Sequence, residues 1–129
     1  METSIKVWYR DEKTVEFGEK DIDALISLVK RGFFENTLSF IQMDHESSNE
    51  MQIEFGDKCC FISMADEDEG MIYGYMDPEQ SDEESVDLCA NSYPANMLCR
   101  SVDDVAVILK TFVSTGRPNE DYTWDEQEY

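Results

Sequence analysis

Between Asp66 and Asp87 the chain holds no lysine, arginine or histidine, and elsewhere positive charge is scarce. Ten Lys and Arg face 30 Asp and Glu, with one histidine and a formal net charge of -20. Such a chain is a poor partner for nucleic acid or anionic membrane, because binding either means neutralising phosphates with Lys and Arg. No run approaches the roughly 20 apolar residues of a membrane span. The N-terminal METSIKVWYRDEK also lacks the apolar stretch of a secretory signal. These absences predict a cytoplasmic protein. Neither a P-loop nor a Gly-rich dinucleotide fingerprint occurs, so the common sequence signals for nucleotide cofactors are missing.

Cysteine is present but badly spaced for metal or disulfide chemistry. Cys59, Cys60, Cys89 and Cys99 form no pair separated by two residues. Cys59 and Cys60 are adjacent and would point to opposite faces of a strand. Buried, reduced thiols that pack as small hydrophobes are the expectation, with no cofactor. Catalytic signals are equally thin. His45 lies in a polar turn between Asp44 and Glu46 without an identifiable Ser or Cys nucleophile, and the carboxylates are too numerous for any two to stand out as acid and base. The chain reads as a non-enzyme.

What the sequence does contain is enough apolar material for a core. At 129 residues, 41% hydrophobic and 12% aromatic, the composition is globular and the length fits one domain, 1–129. Ile5 to Tyr9 reads as a strand and Asp11 to Thr14 as a polar turn. A helix follows, with Asp21 as N-cap, Ile22, Leu25, Ile26, Val29 and Phe33 at helical spacing, and Gly32 at the expected stop. Extended segments come next at 37–43, 50–55, 58–64 and 71–76. In the second, Met51, Ile53 and Phe55 alternate with Gln52 and Glu54, the mark of a sheet with one covered and one wet face. Gly56-Asp57 suits a two-residue hairpin turn, and the third segment, apolar on both sides, belongs in the sheet centre.

The stretch 77–96 reads as a long acidic loop with one weak strand near Val86 to Cys89, and 96–100 as a last strand. Ser101 then opens a helix through a capping box with Asp104, its apolar stripe runs from Val102 to Val113, and Gly116 closes it. The predicted architecture is α+β, with a mainly antiparallel sheet of about five or six strands and two principal helices.

The charge is distributed unevenly. Residues 1–35 hold eight acids and six bases, whereas the remainder holds 22 acids and four bases. Its densest part is Asp66, Glu67, Asp68, Glu69, Asp77, Glu79, Asp82, Glu83, Glu84 and Asp87. Met71, Ile72, Tyr73, Tyr75 and Met76 interrupt that run, so it is not a purely solvating tail. Calcium is one reading. Asp66, Asp68 and Asp77 occupy the first, third and twelfth places of a twelve-residue loop, but Met71 stands where the sharp turn needs glycine and strands flank the segment. An EF-hand does not fit.

The C-terminal third places a capped amphipathic helix before Phe112-x-x-x-Gly116-Arg117-Pro118, with Trp124 and Asp125 shortly after. Together with the Gly70 to Tyr75 segment, this resembles the bacterial immunity proteins grouped as immunity family one of the polymorphic toxin systems, including those of contact-dependent growth inhibition. The resemblance spans roughly residues 58–126. Asp125 departs from the glutamate common after that tryptophan.

The resemblance implies structural roles for Gly116, Pro118 and Trp124, and a cognate toxin domain as partner, often a nuclease or other nucleic-acid-modifying enzyme with a basic substrate site. It gives the acidic run a use. Carboxylates would steer a basic toxin, and Tyr73 and Tyr75, which share one face of a strand, would hold it. Two alternatives share some of these features: an acidic mimic of nucleic acid acting on a DNA-binding protein, and a small metal-binding regulatory domain.

Overall fold

The computed structural model describes residues 2–128. Its elements run β1 (Ser4–Tyr9), β2 (Thr14–Gly18), a 3-10 turn (Glu19–Asp21), α1 (Ile22–Glu35), β3 (Leu38–Asp44), β4 (Glu50–Gly56), β5 (Cys59–Asp66) and β6 (Met71–Met76). They continue with β7 (Ser85–Asp87), β8 (Ser92–Pro94), a second 3-10 turn (Ala95–Met97), α2 (Val102–Thr115) and β9 (Thr123–Glu128). Seven strands form one antiparallel sheet in the order β2-β1-β3-β4-β5-β6-β9, and β7 pairs with β8 in a separate ribbon. The fold is α+β, with one more strand in the main sheet than the upper sequence expectation.

Period-two alternation decides which face is buried. One row of register partners reads Ile5, Met43, Met51, Met64, Tyr73 across five strands, and a neighbouring row reads Val7, Ile41, Ile53, Ile62. Both rows are buried with Leu25, Val29 and Phe33 of α1 and Val105, Ile108, Leu109 and Phe112 of α2. A fully buried aliphatic or aromatic side chain contributes about 1.5–3 kcal/mol, so this layer is what offsets the self-repulsion of the charge.

The helix ends show how local chemistry sets the boundaries. Ser101 accepts the Asp104 amide at 3.3 Å at the start of α2, and Gly116 closes it in the left-handed region at φ 71. α1 does not stop at Gly32. It runs one more turn to Glu35, and Asn36 takes the left-handed cap at φ 58. Gly32 serves packing instead, since a Cβ there would lie 2.5 Å from Leu38 Cγ. The β4–β5 turn is likewise shifted by one residue. Gly56 pairs with Cys59, leaving Asp57 and Lys58 as the turn with Lys58 at φ 54. Leu88 sits against Gly56, where a Cβ would meet its Cδ2 at 2.4 Å.

β5 is interior and apolar on both sides because both its faces are covered. Helices cover one; on the other, Phe61 stacks on Tyr93 of β8 with centroids 4.4 Å apart. The expected strand at 96–100 is instead the second 3-10 turn followed by a single bridge, in which Cys60 and Cys99 exchange both backbone bonds. Cys59, Cys60 and Cys99 are buried free thiols, whereas Cys89 is exposed. Among the described residues no helix is long and apolar enough to cross a membrane.

Candidate interaction surface

The acidic run folds as two patches and an intervening core strand. Asp66 to Glu69 form the turn before β6, and Asp77 begins the chain after it. Six strand residues separate these ends by about 20 Å. The side chains between them face inward: Tyr73 is 6% exposed and Tyr75 7%, both beneath the helical layer. Their expected role as exposed anchors is therefore corrected. Sharing one face of β6 was right, but that face is the buried one.

At the first patch, a buried carboxylate and Asn49 tie three turns together. Asp66, 4% exposed, accepts the amides of Asp68 and Glu69 through Oδ1, both at 3.1 Å, and pairs through Oδ2 with Arg117 Nη1. Arg117 also reaches Glu69 Oε1 at 3.6 Å, while Tyr73 donates its hydroxyl to Glu69 Oε2 at 3.4 Å. Burial pushes the Tyr73 phenol up. Asn49 completes the junction by accepting the Glu67 amide at 3.1 Å and donating to Gly116 O at 2.9 Å. Asp66 is thus spent on holding the turn, and Glu67, Asp68 and Glu69 remain exposed.

His45 is buried at this junction rather than solvated in its turn. The Ser47 amide donates to Nδ1 at 3.1 Å, so Nδ1 is an acceptor and Nε2–H donates to Val113 O at 3.1 Å. A neutral imidazole results, capping the end of α2 and meeting Phe112 edge to face at 5.6 Å. Gly116 passes so close that a Cβ would lie 2.6 Å from His45 Nδ1.

From Arg117 the chain turns into β9, the sheet edge beside β6. Trp124 is opposite Tyr75, meets its ring edge to face at 6.0 Å, and donates Nε1–H to Asn119 O at 2.8 Å. Tyr122 donates to Asp104 Oδ1 at 2.8 Å, and burial together with that carboxylate pushes its phenol up to about 12. Tyr73, Arg117, Pro118, Tyr122 and Trp124 line a cleft of about 270 Å³, with Glu120 and Glu126 also on its wall. Tyr122 and Trp124 are half-buried, so they supply the accessible aromatic surface that Tyr73 and Tyr75 do not.

The second patch lies on the opposite sheet face. Glu54 is 6% exposed and accepts four bonds there: Ala90 and Asn91 amides at 2.9 and 2.8 Å, Asn91 Nδ2 at 2.8 Å and the Tyr93 hydroxyl at 2.9 Å. The expectation of a wet face fails at this position because the chain from Leu88 to Met97 returns over it. Burial pushes the carboxyl up, but the donors outweigh that and leave it below its ordinary value. Asp77 and the exposed Glu79, Asp82, Glu83, Glu84 and Asp87 belong to the segment between β6 and this cover. Asp77 Oδ1 accepts the Glu79 amide at 3.0 Å, and Asp87 accepts the Ser92 hydroxyl. Among the described residues no three His, Cys, Asp or Glu side chains converge as a cation site.

A family model described as a family of unknown function, DUF6911, matches residues 12–121. The chain belongs to this family. The DUF6911 match takes in the Asp66 junction, Gly116 and Pro118 and ends before β9. Among solved structures, a hypothetical protein from Neisseria gonorrhoeae is similar at a TM-score of 0.65, with 14% identity, over 92% of this chain and 91% of that one. That likeness concerns the fold alone. No curated protein matches.

Proposed function

We propose that this protein is a non-enzymatic immunity protein that binds and neutralises a basic toxin domain in the cytoplasm. The observation that carries the reading is the union of the β5–β6 turn with the β9 edge. Exposed Glu67, Asp68 and Glu69 adjoin a cleft walled by Pro118, Tyr122 and Trp124 and by Glu120 and Glu126. An acidic rim around half-exposed aromatics suits a two-part recognition. Long-range attraction accelerates encounter, and desolvated aromatic contact slows dissociation.

Support also comes from the division of labour among the acids. Asp66 is tied into the fold and Glu54 is covered, whereas Glu67, Asp68 and Glu69 are exposed and can contribute to a surface field. A nuclease or other nucleic-acid-modifying toxin has a basic substrate site that such a field would fill as phosphate does. The test is co-expression with the toxin C-terminal domain encoded immediately upstream. Rescued growth and a one-to-one co-purifying complex are the expected result. Unchanged killing with no complex would reject the reading, and inhibition of several unrelated DNA-binding proteins would replace it with nucleic-acid mimicry.

A further inference from the structure

Where β6 ends at Met76, Cys99 takes up the place beside β5 that a longer β6 would hold. Cys60 N donates to Cys99 O at 3.0 Å, and Cys99 N to Cys60 O at 2.8 Å. Residues opposite each other in such a hydrogen-bonded antiparallel pair have Cα atoms about 5.5 Å apart and project to the same face. Disulfides span Cα separations of roughly 4.4–6.8 Å, most often about 5.5–6 Å. The backbone thus holds these two cysteines at disulfide spacing. Cys59 points to the other face of β5, beside Gly56, and Cys89 is exposed with its Sγ 3.9 Å from Leu38 O. Neither stands opposite Cys99.

The second observation is the contact between the sulfurs. Both thiols are buried in the core, where Cys60 hydrogen-bonds to Cys99 and Cys99 donates in turn to Ser101 O at 3.4 Å. Burial pushes the Cys60 thiol well up, while the hydrogen bond from Cys60 holds Cys99 below its ordinary value. Cys99 is therefore the thiol that ionises first and attacks, and Cys60 the one that resolves. Access comes from the way Cys99 is attached. Ala95–Met97 is a single 3-10 turn, and Cys99 joins the sheet through an isolated bridge instead of a strand. Such a segment opens at lower free energy than the sheet it rests on, and opening brings both sulfurs to solvent.

We propose that Cys60 and Cys99 are a reversible redox pair whose disulfide fastens the start of α2 to β5. The oxidant is a small-molecule disulfide of the glutathione type. In the open segment the Cys99 thiolate attacks one of its sulfurs and expels the first glutathione thiolate. Cys60 gives its proton to solvent, attacks Cys99 Sγ of the mixed disulfide and expels the second. The two protein thiols are oxidised, one glutathione disulfide is reduced to two glutathione thiols, and the two protons end on them. Excess reduced glutathione runs the exchange backwards, so the pair stays open in a reducing cytoplasm. The bond closes a loop of about 40 residues that holds β6, the acidic segment and the β7–β8 ribbon, and it restricts the unfolded chain accordingly. Ser101, the N-cap of α2, follows directly, and α2 carries the Asp104 that accepts the Tyr122 hydroxyl. The pair does not depend on the toxin-binding reading.

The test equilibrates the full chain in buffers of stepped reduced-to-oxidised glutathione ratio, both from the folded state and on refolding from urea. Free thiols are then blocked with N-ethylmaleimide in denaturant and the chain is weighed and digested. The four thiols of the reduced chain should fall by two as the buffer becomes oxidising, with the digest linking the peptide of Cys59 and Cys60 to that of Cys99. Cys59→Ala should keep the bond, and Cys60→Ala and Cys99→Ala should each abolish it. The oxidised chain should melt about 10 °C above the reduced one, and dithiothreitol should reverse the gain. Four thiols at every ratio, a bond mapped to another pair or kept in Cys60→Ala, or an oxidised chain that melts no higher than the reduced one would each overturn the proposal.

Discussion

Glu54 and Asp66 are both buried carboxylates on the sheet, yet they are compensated in different ways. Glu54 takes four neutral donors from one returning segment, Ala90, Asn91 and Tyr93, and among the described residues no cation. Asp66 takes two amides of its own turn and a cation, Arg117, whose side chain is 46% exposed. The Glu54 centre is a closed clamp that holds a long-range cover. The Asp66 centre is a half-open junction at the rim of the proposed interface. The difference teaches that the charge count overstates the surface field: some acids of this chain are structural, and position decides which.

The largest effect should come from breaking the clamp. Glu54→Gln puts an amide donor where two donors already point, and about 3 kcal/mol of stability should be lost in urea denaturation. Gly116→Ala should follow at about 2 kcal/mol, because alanine is strained at φ 71 and meets His45. Asp66→Asn keeps the amide-accepting oxygen but sets an amide N–H against Arg117, whose side chain is 46% exposed and can turn to water, for about 1 kcal/mol. Equal losses for Glu54→Gln and Asp66→Asn would erase the distinction between clamp and junction.

The clamp should also respond to pH from both sides. The donors hold Glu54 below its ordinary value of 4.5, so its contribution is present above that value and is lost as pH falls through the folded one. Tyr93 is pushed up to about 12, first by burial and then by Glu54. Its contribution is complete below the ordinary phenol value of 10 and fades as pH rises toward about 12. Tyrosine absorbance followed alongside circular dichroism should show the Glu54→Gln variant keeping the part of the alkaline dependence set by burial and losing the part set by Glu54.

How much of this was legible in the sequence follows from the range of each interaction. β4 shows period-two alternation, β5 and β6 are apolar and aromatic runs bounded by turn residues, and α2 shows its cap, stripe and stop, so local pattern suffices for them. β9 reads Thr-Trp-Asp-Glu-Gln-Glu, which has little strand propensity; pairing with β6 makes it a strand. β2 is five residues long; its first residue, Thr14, falls in the predicted turn, and the remaining four are too short a pattern to read as a strand. Glu54 shares the pattern of the solvated Gln52, and its partners lie 36 to 39 residues away. Alternation also places Tyr73 and Tyr75 on one face without saying which face the helices cover. Among the acids of the candidate surface the sequence did not separate the buried Asp66 from its exposed neighbours, and among the aromatics it chose the buried pair.

The smallest effect on stability should bring the largest effect on binding. Glu67→Gln, Asp68→Asn and Glu69→Gln together should leave stability within about 1 kcal/mol, since these side chains are exposed. The direct measurement is the association rate of the proposed partner, a purified basic toxin domain, with the wild type and this triple variant, across a range of salt. Capture by an acidic rim predicts a wild-type rate that falls steeply with ionic strength and a variant that is slower at low salt with a shallower slope. A wild-type rate indifferent to salt, or a variant that associates as fast as the wild type, would contradict it.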